Sequence, residues 1–177
     1  MKITKLRLTS FLELAGERLT GNWVVIGGSV MALIGAEYRV TNDIDLSGPI
    51  TSTQKDTLIL MEIAESLGLP IEAINQAGAF FLKQIPGWEK RLIEVHRGKG
   101  AIFFRPNATL YLQLKIRRFS ETDLLDCMKM LEKHSQELEF EGVNKLLRME
   151  MKTATGGRLE RLTELDRSIT LLHKKLR

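Results

Sequence analysis

Cysteine is nearly absent from this sequence, because Cys127 is the only one among 177 residues. A lone cysteine cannot form an intramolecular disulfide, which excludes the small secreted folds that depend on such bonds. It also leaves no cysteine cluster of the kind that holds structural zinc. The fold must therefore be stabilised by its own hydrophobic core.

Long apolar runs are absent as well, and none approaches the roughly 20 residues needed to cross a bilayer. The N-terminal residues lack the charged start, apolar middle and small-residue cleavage site of a secretory signal. No internal repeat or low-complexity segment is visible. These absences predict a cytoplasmic protein without a membrane partner.

Charge is unevenly distributed along the chain, although the net charge is only +4. Residues 144–177 contain nine basic and four acidic residues, a net charge of +5, so the preceding residues sum to −1. Such an asymmetry can indicate contact with a phosphate backbone. A solvated helix with interleaved charges is the alternative, and the sequence leaves both open.

The stretch from Val24 to Leu46 carries the clearest signals. A β-branched run ends at Gly27 and Gly28, which predicts a buried strand that breaks into a tight turn. Apolar residues 30–34 follow and predict a short buried helix with Ser29 as its N-cap.

Two aspartates follow this helix, and they are separated by one apolar residue. In a strand, Asp43 and Asp45 would project from one face while Ile44 points into the core. Neighbouring carboxylates repel each other unless a cation lies between them, and Mg²⁺ prefers oxygen ligands. A glycine turn at a helix start, followed by paired carboxylates, suggests triphosphate and magnesium chemistry.

This block resembles the signature of the minimal nucleotidyltransferases, and specifically the AbiEii-like toxin and abortive-infection type. The residues that carry the resemblance are Gly27, Gly28, Ser29, Arg39, Thr41, Asp43 and Asp45. The resemblance implies that the turn, together with Arg39 and Thr41, binds a nucleoside triphosphate. It also implies that Asp43 and Asp45 hold two magnesium ions, with manganese as an alternative.

A third carboxylate is expected by the same resemblance, on a strand beside the paired aspartates. Glu94 is the candidate metal ligand, since it lies mid-strand among apolar neighbours. The alternative, an exposed strand residue paired with Arg91 or Lys90, stays open.

A second match to the AbiEii-like proteins occurs later, where Leu114-Lys115 precedes an Asp-x-x-Asp segment at Asp123 and Asp126. It implies that Lys115 is a catalytic residue that reaches the triphosphate, and that Asp123 belongs to the nucleotide-binding site, near this lysine or a neighbouring arginine. Two other interpretations compete. Lys115 can be a solvated residue of an amphipathic helix, and Asp123 a first-turn acid favoured by the helix dipole.

The order of elements predicts an α/β (α+β) fold, with a nucleotidyltransferase-like mixed sheet flanked by helices and a helical C-terminal extension. Strands are predicted near residues 24–26, 43–46, 79–82, 92–96 and 101–104, and breaks in the C-terminal helices at Gly142 and Gly156. Residues 1–106 would form the nucleotidyltransferase core, and residues 107–177 a helical region packed on it.

The predicted activity is metal-dependent transfer of a nucleoside monophosphate from a nucleoside triphosphate to a hydroxyl acceptor. The resemblance favours tRNA or another RNA as the acceptor and a toxin role with an antitoxin protein as partner. A protein or small-molecule acceptor stays open. The alternative is a catalytically inactive nucleotidyltransferase fold that binds a nucleotide, a nucleic acid or a partner protein.

Overall fold

The computed structural model describes residues 2–36 and 41–176. The chain divides into two compact units, Met1–Pro106 and Asn107–Arg177.

The first unit combines a five-stranded sheet with helices. Its elements are α1 (Lys5–Arg18), β1 (Gly21–Val25), α2 (Gly27–Leu33), β2 (Ile44–Ser47), α3 (Gln54–Ser66), β3 (Ile74–Asn75), α4 (Ala79–Lys83), β4 (Leu92–Arg97) and β5 (Ala101–Pro106). Two 3₁₀ turns, Ile71–Ala73 and Trp88–Arg91, precede β3 and β4.

The strand order across the sheet is β3-β2-β1-β5-β4. Pairs β1–β5 and β2–β3 are parallel, whereas β1–β2 and β4–β5 are antiparallel. The predicted α/β fold with a mixed sheet flanked by helices is therefore confirmed. The order places β2 between β1 and β3, and β4 at the opposite edge.

Helix α1 covers part of this sheet, because its buried residues Leu8, Phe11, Leu12 and Ala15 recur at helical spacing and the helix packs against β4 and β5. The helix begins at Lys5. Thr4 is its N-cap, and the Thr4 side chain accepts a hydrogen bond from the amide of Arg7 at 3.3 Å.

Two predictions of local structure in the first unit are wrong. Residues 79–82 were expected to form a strand, but they belong to α4, in which Leu82 is buried and Phe80 and Phe81 are exposed. A short apolar run fits a helix or a strand equally well. Ser29 does not cap α2, since that helix begins at Gly27.

The second unit is helical throughout its described elements, as predicted from its pattern. They are α5 (Ala108–Ile116), α6 (Glu121–His134), a 3₁₀ turn (Ser135–Glu137), α7 (Phe140–Met151) and α8 (Gly156–Lys175). The predicted break at Gly142 is wrong because this glycine lies inside α7, whereas α8 does begin at Gly156. None of the helices that the structure describes is both long enough and apolar enough to span a membrane.

Candidate functional site

The glycine turn and the Asp45 carboxylate are in direct contact. Ile26 donates its amide to the carbonyl of Asp45 at 2.9 Å, which fixes the start of the turn against β2. Gly27 has φ +60°, and a Cβ at this position would lie 2.2 Å from Oδ2 of Asp45. Only glycine satisfies both the left-handed backbone and this approach. The structure therefore brings together two parts of the predicted motif.

Ser29 joins helix α2 to both aspartates. Its hydroxyl donates to the carbonyl of Asp43 at 2.9 Å and accepts from the amide of Asp45 at 3.0 Å. The side chain is fully buried. The structure thus shows Ser29 positioning the backbone of the two aspartates, while its predicted contact with phosphate stays a prediction.

Thr41 organises the approach to β2. Its hydroxyl donates to the carbonyl of Asp43 at 3.2 Å and accepts from the amide of Asp43 at 3.4 Å. Asp43 is exposed just before the strand, Ile44 is fully buried and Asp45 is half-buried. The burial of Ile44 is as predicted, whereas Asp43 precedes the strand, so the projection of both carboxylates from one face stays a prediction.

Asn75 lies at the candidate site but was not predicted from the sequence. It lies opposite Asp45 in the β2–β3 pairing, and its Nδ2 donates to Oδ1 of Asp45 at 2.7 Å. Strand β3 has only two residues. A strand this short has no alternation of apolar and polar residues, so no periodic signal marks it in the sequence.

The carboxylates of Asp43 and Asp45, two residues apart in the chain, would suit a magnesium ion that takes its remaining ligands from substrate and water. Mg²⁺ is commonly bound through one or two carboxylates together with substrate phosphates. Among the described residues, no group of three or more His, Cys, Asp or Glu side chains is placed to hold a metal ion. The donor set therefore fits a cation that arrives with a nucleotide better than one held by the protein alone.

Glu94 does not lie beside the aspartates. Strands β1 and β5 separate β4 from β2, which corresponds to about 14 Å at the usual strand spacing. Glu94 is exposed and accepts a hydrogen bond from Nε of Arg97 at 3.0 Å. The expectation that Glu94 lies on the strand beside the aspartates is therefore wrong. The exposed, paired alternative describes Glu94 better, with Arg97 as the partner.

Of the remaining predicted nucleotide ligands, Gly28 is described by the structure and Arg39 is not. Gly28 is buried in the first turn of α2, where backbone amides have no acceptor within the helix. Arg39 lies outside the described residues, so its phosphate contact is a prediction from the sequence alone.

Lys115 and Asp123 belong to the second unit, where they form a buried ionic cluster. Nζ of Lys115 lies 2.9 Å from Asp123 and 3.0 Å from Asp126. Arg118 donates to both oxygens of Asp123, at 3.0 and 3.1 Å. The predicted proximity of Asp123 to the lysine and an arginine is confirmed. The predicted contact of Lys115 with a triphosphate stays a prediction.

Asp123 is also the N3 acid of a capping box at the start of α6. It accepts from the amide and hydroxyl of Ser120 at 2.9 and 2.8 Å. Burial by itself would raise the pKa of this carboxyl. The hydrogen bonds and charges of Arg118 and Lys115 outweigh burial and hold the pKa of Asp123 well below its usual range. The carboxylate is therefore ionised at neutral pH and fixes the loop between α5 and α6.

Comparison with known proteins gives one result. Residues 6–172 match the model of a family described as "Nucleotidyltransferase of unknown function (DUF6036)". No curated protein and no solved structure matches the chain. The match supports the nucleotidyltransferase superfamily and does not extend to the AbiEii-like type. Since it covers nearly the whole chain, this protein belongs to that nucleotidyltransferase family.

Proposed function

We propose that this protein transfers a nucleoside monophosphate from a nucleoside triphosphate to the hydroxyl group of an RNA, with magnesium bound at Asp43 and Asp45. The observation that carries the proposal is the contact between the Asp45 carboxylate and the left-handed turn at Gly27. A carboxylate beside a helix start combines a cation ligand with backbone donors for phosphate oxygens.

The chain's own residues would bind and orient the substrates. Asp43 and Asp45 would hold the cation, while Ser29 and Thr41 fix the backbone of the aspartates through the hydrogen bonds described above. Gly27 leaves room for the Asp45 carboxylate beside the turn. When bound, magnesium would neutralise charge on the triphosphate and the attacking oxygen.

In the proposed reaction, the acceptor oxygen forms a bond to the α-phosphorus, and the bond from this phosphorus to the bridging α–β oxygen breaks. Pyrophosphate leaves with the electron pair, and the hydroxyl proton passes to water. Positioning and charge neutralisation would account for the rate, so small displacements of Asp45 should lower it strongly.

An RNA acceptor is supported by a basic face on α7. Lys145 and Arg148 on α7 and its C-cap residue Lys152 are exposed and line a common concavity, which Glu141 also lines. Clustered basic side chains of this kind bind phosphate backbones. We further propose tRNA as the acceptor and a toxin role with an antitoxin partner, both on the AbiEii-like resemblance of the motifs.

The test is transfer of α-³²P label from each nucleoside triphosphate to tRNA or total RNA, with magnesium or manganese. The wild-type chain should label RNA in a cation-dependent manner. Asp45→Asn, which keeps the shape of the side chain but removes its charge, should lower transfer by at least about 100-fold.

Two results make this test decisive. Glu94→Gln serves as a matched control, since it removes a carboxylate at the far edge of the sheet and should leave transfer unchanged. Equal labelling by wild type and Asp45→Asn would contradict the proposed mechanism.

A catalytically inactive binding protein is the second candidate, and the neutral side chain of Asn75 beside Asp45 favours it. Such a protein would bind a nucleoside triphosphate with magnesium, and this binding would depend on Asp45 without any release of pyrophosphate. Calorimetric titration together with a pyrophosphate assay separates the two candidates.

A further inference from the structure

The amide of Asn75 has a fixed orientation beside Asp45. Its Oδ1 accepts a hydrogen bond from the backbone amide of Ala77 at 3.0 Å, so its Nδ2 must be the atom that faces Asp45. The contact from Nδ2 to Oδ1 of Asp45 is 2.7 Å, a short charge-assisted hydrogen bond. The paired register of β2 and β3 holds both residues at this position.

We infer that Asn75 positions the Asp45 carboxylate. Because its amide is neutral, the site binds a cation only when a triphosphate brings the cation with it. The inference rests on the proposed function. The side-chain N–H of Asn75 faces Asp45. A carboxylate in its place would need a cation between it and Asp45. Free cation therefore gains few ligands from the protein, whereas a cation bound to triphosphate brings phosphate oxygens with it.

Substitution of Asn75 by aspartate isolates this contact. Asn75→Asp keeps the size of the side chain and an oxygen to accept from Ala77, but it replaces the donor that faces Asp45 with a second acceptor. Two carboxylate oxygens would then meet where the 2.7 Å hydrogen bond now lies. They repel each other unless a cation lies between them. The variant should therefore gain a response to free cation that the wild type lacks.

The experiment is thermal unfolding with and without Mn²⁺, in the absence of nucleotide. Asn75→Asp should melt about 2–4 °C below wild type without the cation, and Mn²⁺ should restore most of this loss. The matched control is Asn22→Asp, the same change at an exposed position of β1. Wild type and this control should respond to Mn²⁺ only weakly. A common response in all three proteins would overturn the inference.

A double variant keeps the test valid if Asn75→Asp folds poorly. Asp45→Asn combined with Asn75→Asp restores one donor and one acceptor across the pair, so it should fold without a response to Mn²⁺. A double variant that responds as strongly as the single variant would also overturn the inference, because the response would not arise from this pair.

Kinetics provide the readout that a purely structural role would not change. Asn75→Ala should lower kcat by about 10- to 100-fold, as loss of an outer partner of a metal ligand does, with a smaller effect on the KM for nucleotide. Added Mn²⁺ should raise kcat in Asn75→Asp above that of Asn75→Ala. A change confined to KM would contradict the positioning role.

Failure of this inference differs from failure of the proposed function. If the wild type transfers no nucleotide, the proposed function fails, while the unfolding result with Mn²⁺ still stands. If transfer occurs but Asn75→Asp unfolds like the wild type with and without Mn²⁺, only the inference fails.

Discussion

Gly27 is needed for two separate reasons, its backbone conformation and its closeness to Asp45, and substitutions can separate them. Its φ of +60° disfavours any residue with a Cβ, and that Cβ would also meet the Asp45 carboxylate. Gly68 shares the first requirement alone, because it has φ +65° and a Cβ there would meet no atom within 4 Å. The pair of residues thus distinguishes backbone strain from displacement of Asp45.

We expect Gly68→Ala to cost about 1–2 kcal/mol of unfolding free energy, the usual cost of a left-handed alanine, and to keep full transfer activity. Gly27→Ala should cost more and should also lower transfer about 100-fold, because it moves Asp45. Urea unfolding and labelled-nucleotide transfer measure the two effects. Similar activity in both variants would show that the contact with Asp45 does not matter for transfer.

The loop between α5 and α6 shows how one ionic cluster can hold two elements. Lys115 from α5 meets Asp123 and Asp126 from α6, and Arg118 and Ser120 add hydrogen bonds from the loop. A buried charge that loses its partner is costly, since water cannot replace the lost contact. The cluster should therefore contribute to the stability of the second unit whether or not Lys115 also binds a nucleotide.

Lys115→Met should lower the unfolding free energy by about 3–5 kcal/mol, because it leaves two buried carboxylates without the ammonium. Lys129→Met is the matched control on α6, where the lysine forms an i, i+3 pair with the exposed carboxylate of Glu132 at 2.8 Å. Loss of this surface ion pair should lower the unfolding free energy by at most about 1 kcal/mol. Equal losses in the two variants would contradict the structural role of Lys115.

Acid should weaken the same cluster through Asp123. A carboxyl with a lowered pKa stabilises the fold above its unfolded pKa of about 3.9, and this contribution is lost as the pH falls toward the folded value. The stability difference between wild type and Asp123→Asn should be constant from about pH 7 to 5 and should shrink below about pH 4. Urea unfolding across this range measures it, and a difference independent of pH would refute the assignment.

The sequence predicted those elements whose physical signal is local. The apolar patterns at residues 24–26 and 92–96 predicted β1 and β4, and Asp123 does lie in the first turn of α6. The closeness of Asp45 to the glycine turn was also predicted, from the order and spacing of the motif. The two-residue strand β3 and its Asn75 were not, because their position depends on the sheet order. The strand order, which cannot be read from spacing along the sequence, also explains why Glu94 lies away from Asp45.

At the scale of the whole molecule, the positive charge is concentrated in residues 144–177, where Lys145, Arg148 and Lys152 are exposed on α7 and at its C-terminal end. Charge reversal of Lys145, Arg148 and Lys152 should weaken binding of single-stranded RNA and reduce the slope of log K against log salt by about 2. Reversal of Arg167, Lys174 and Lys175, exposed residues of α8, makes the same change in net charge and should reduce the slope less. Fluorescence anisotropy at several salt concentrations measures both. Equal reductions would show that net charge, rather than the α7 face, governs RNA binding.

The most direct test of the central claim is a crystal structure with Mn²⁺ and a nucleoside triphosphate that cannot be cleaved between its α- and β-phosphates. The anomalous signal of manganese locates the cation independently of the model for the nucleotide. We predict a manganese peak about 2.0–2.3 Å from carboxylate oxygens of Asp43 and Asp45, with the triphosphate against the turn at Gly27. A bound nucleotide whose manganese lies away from both aspartates would contradict the account.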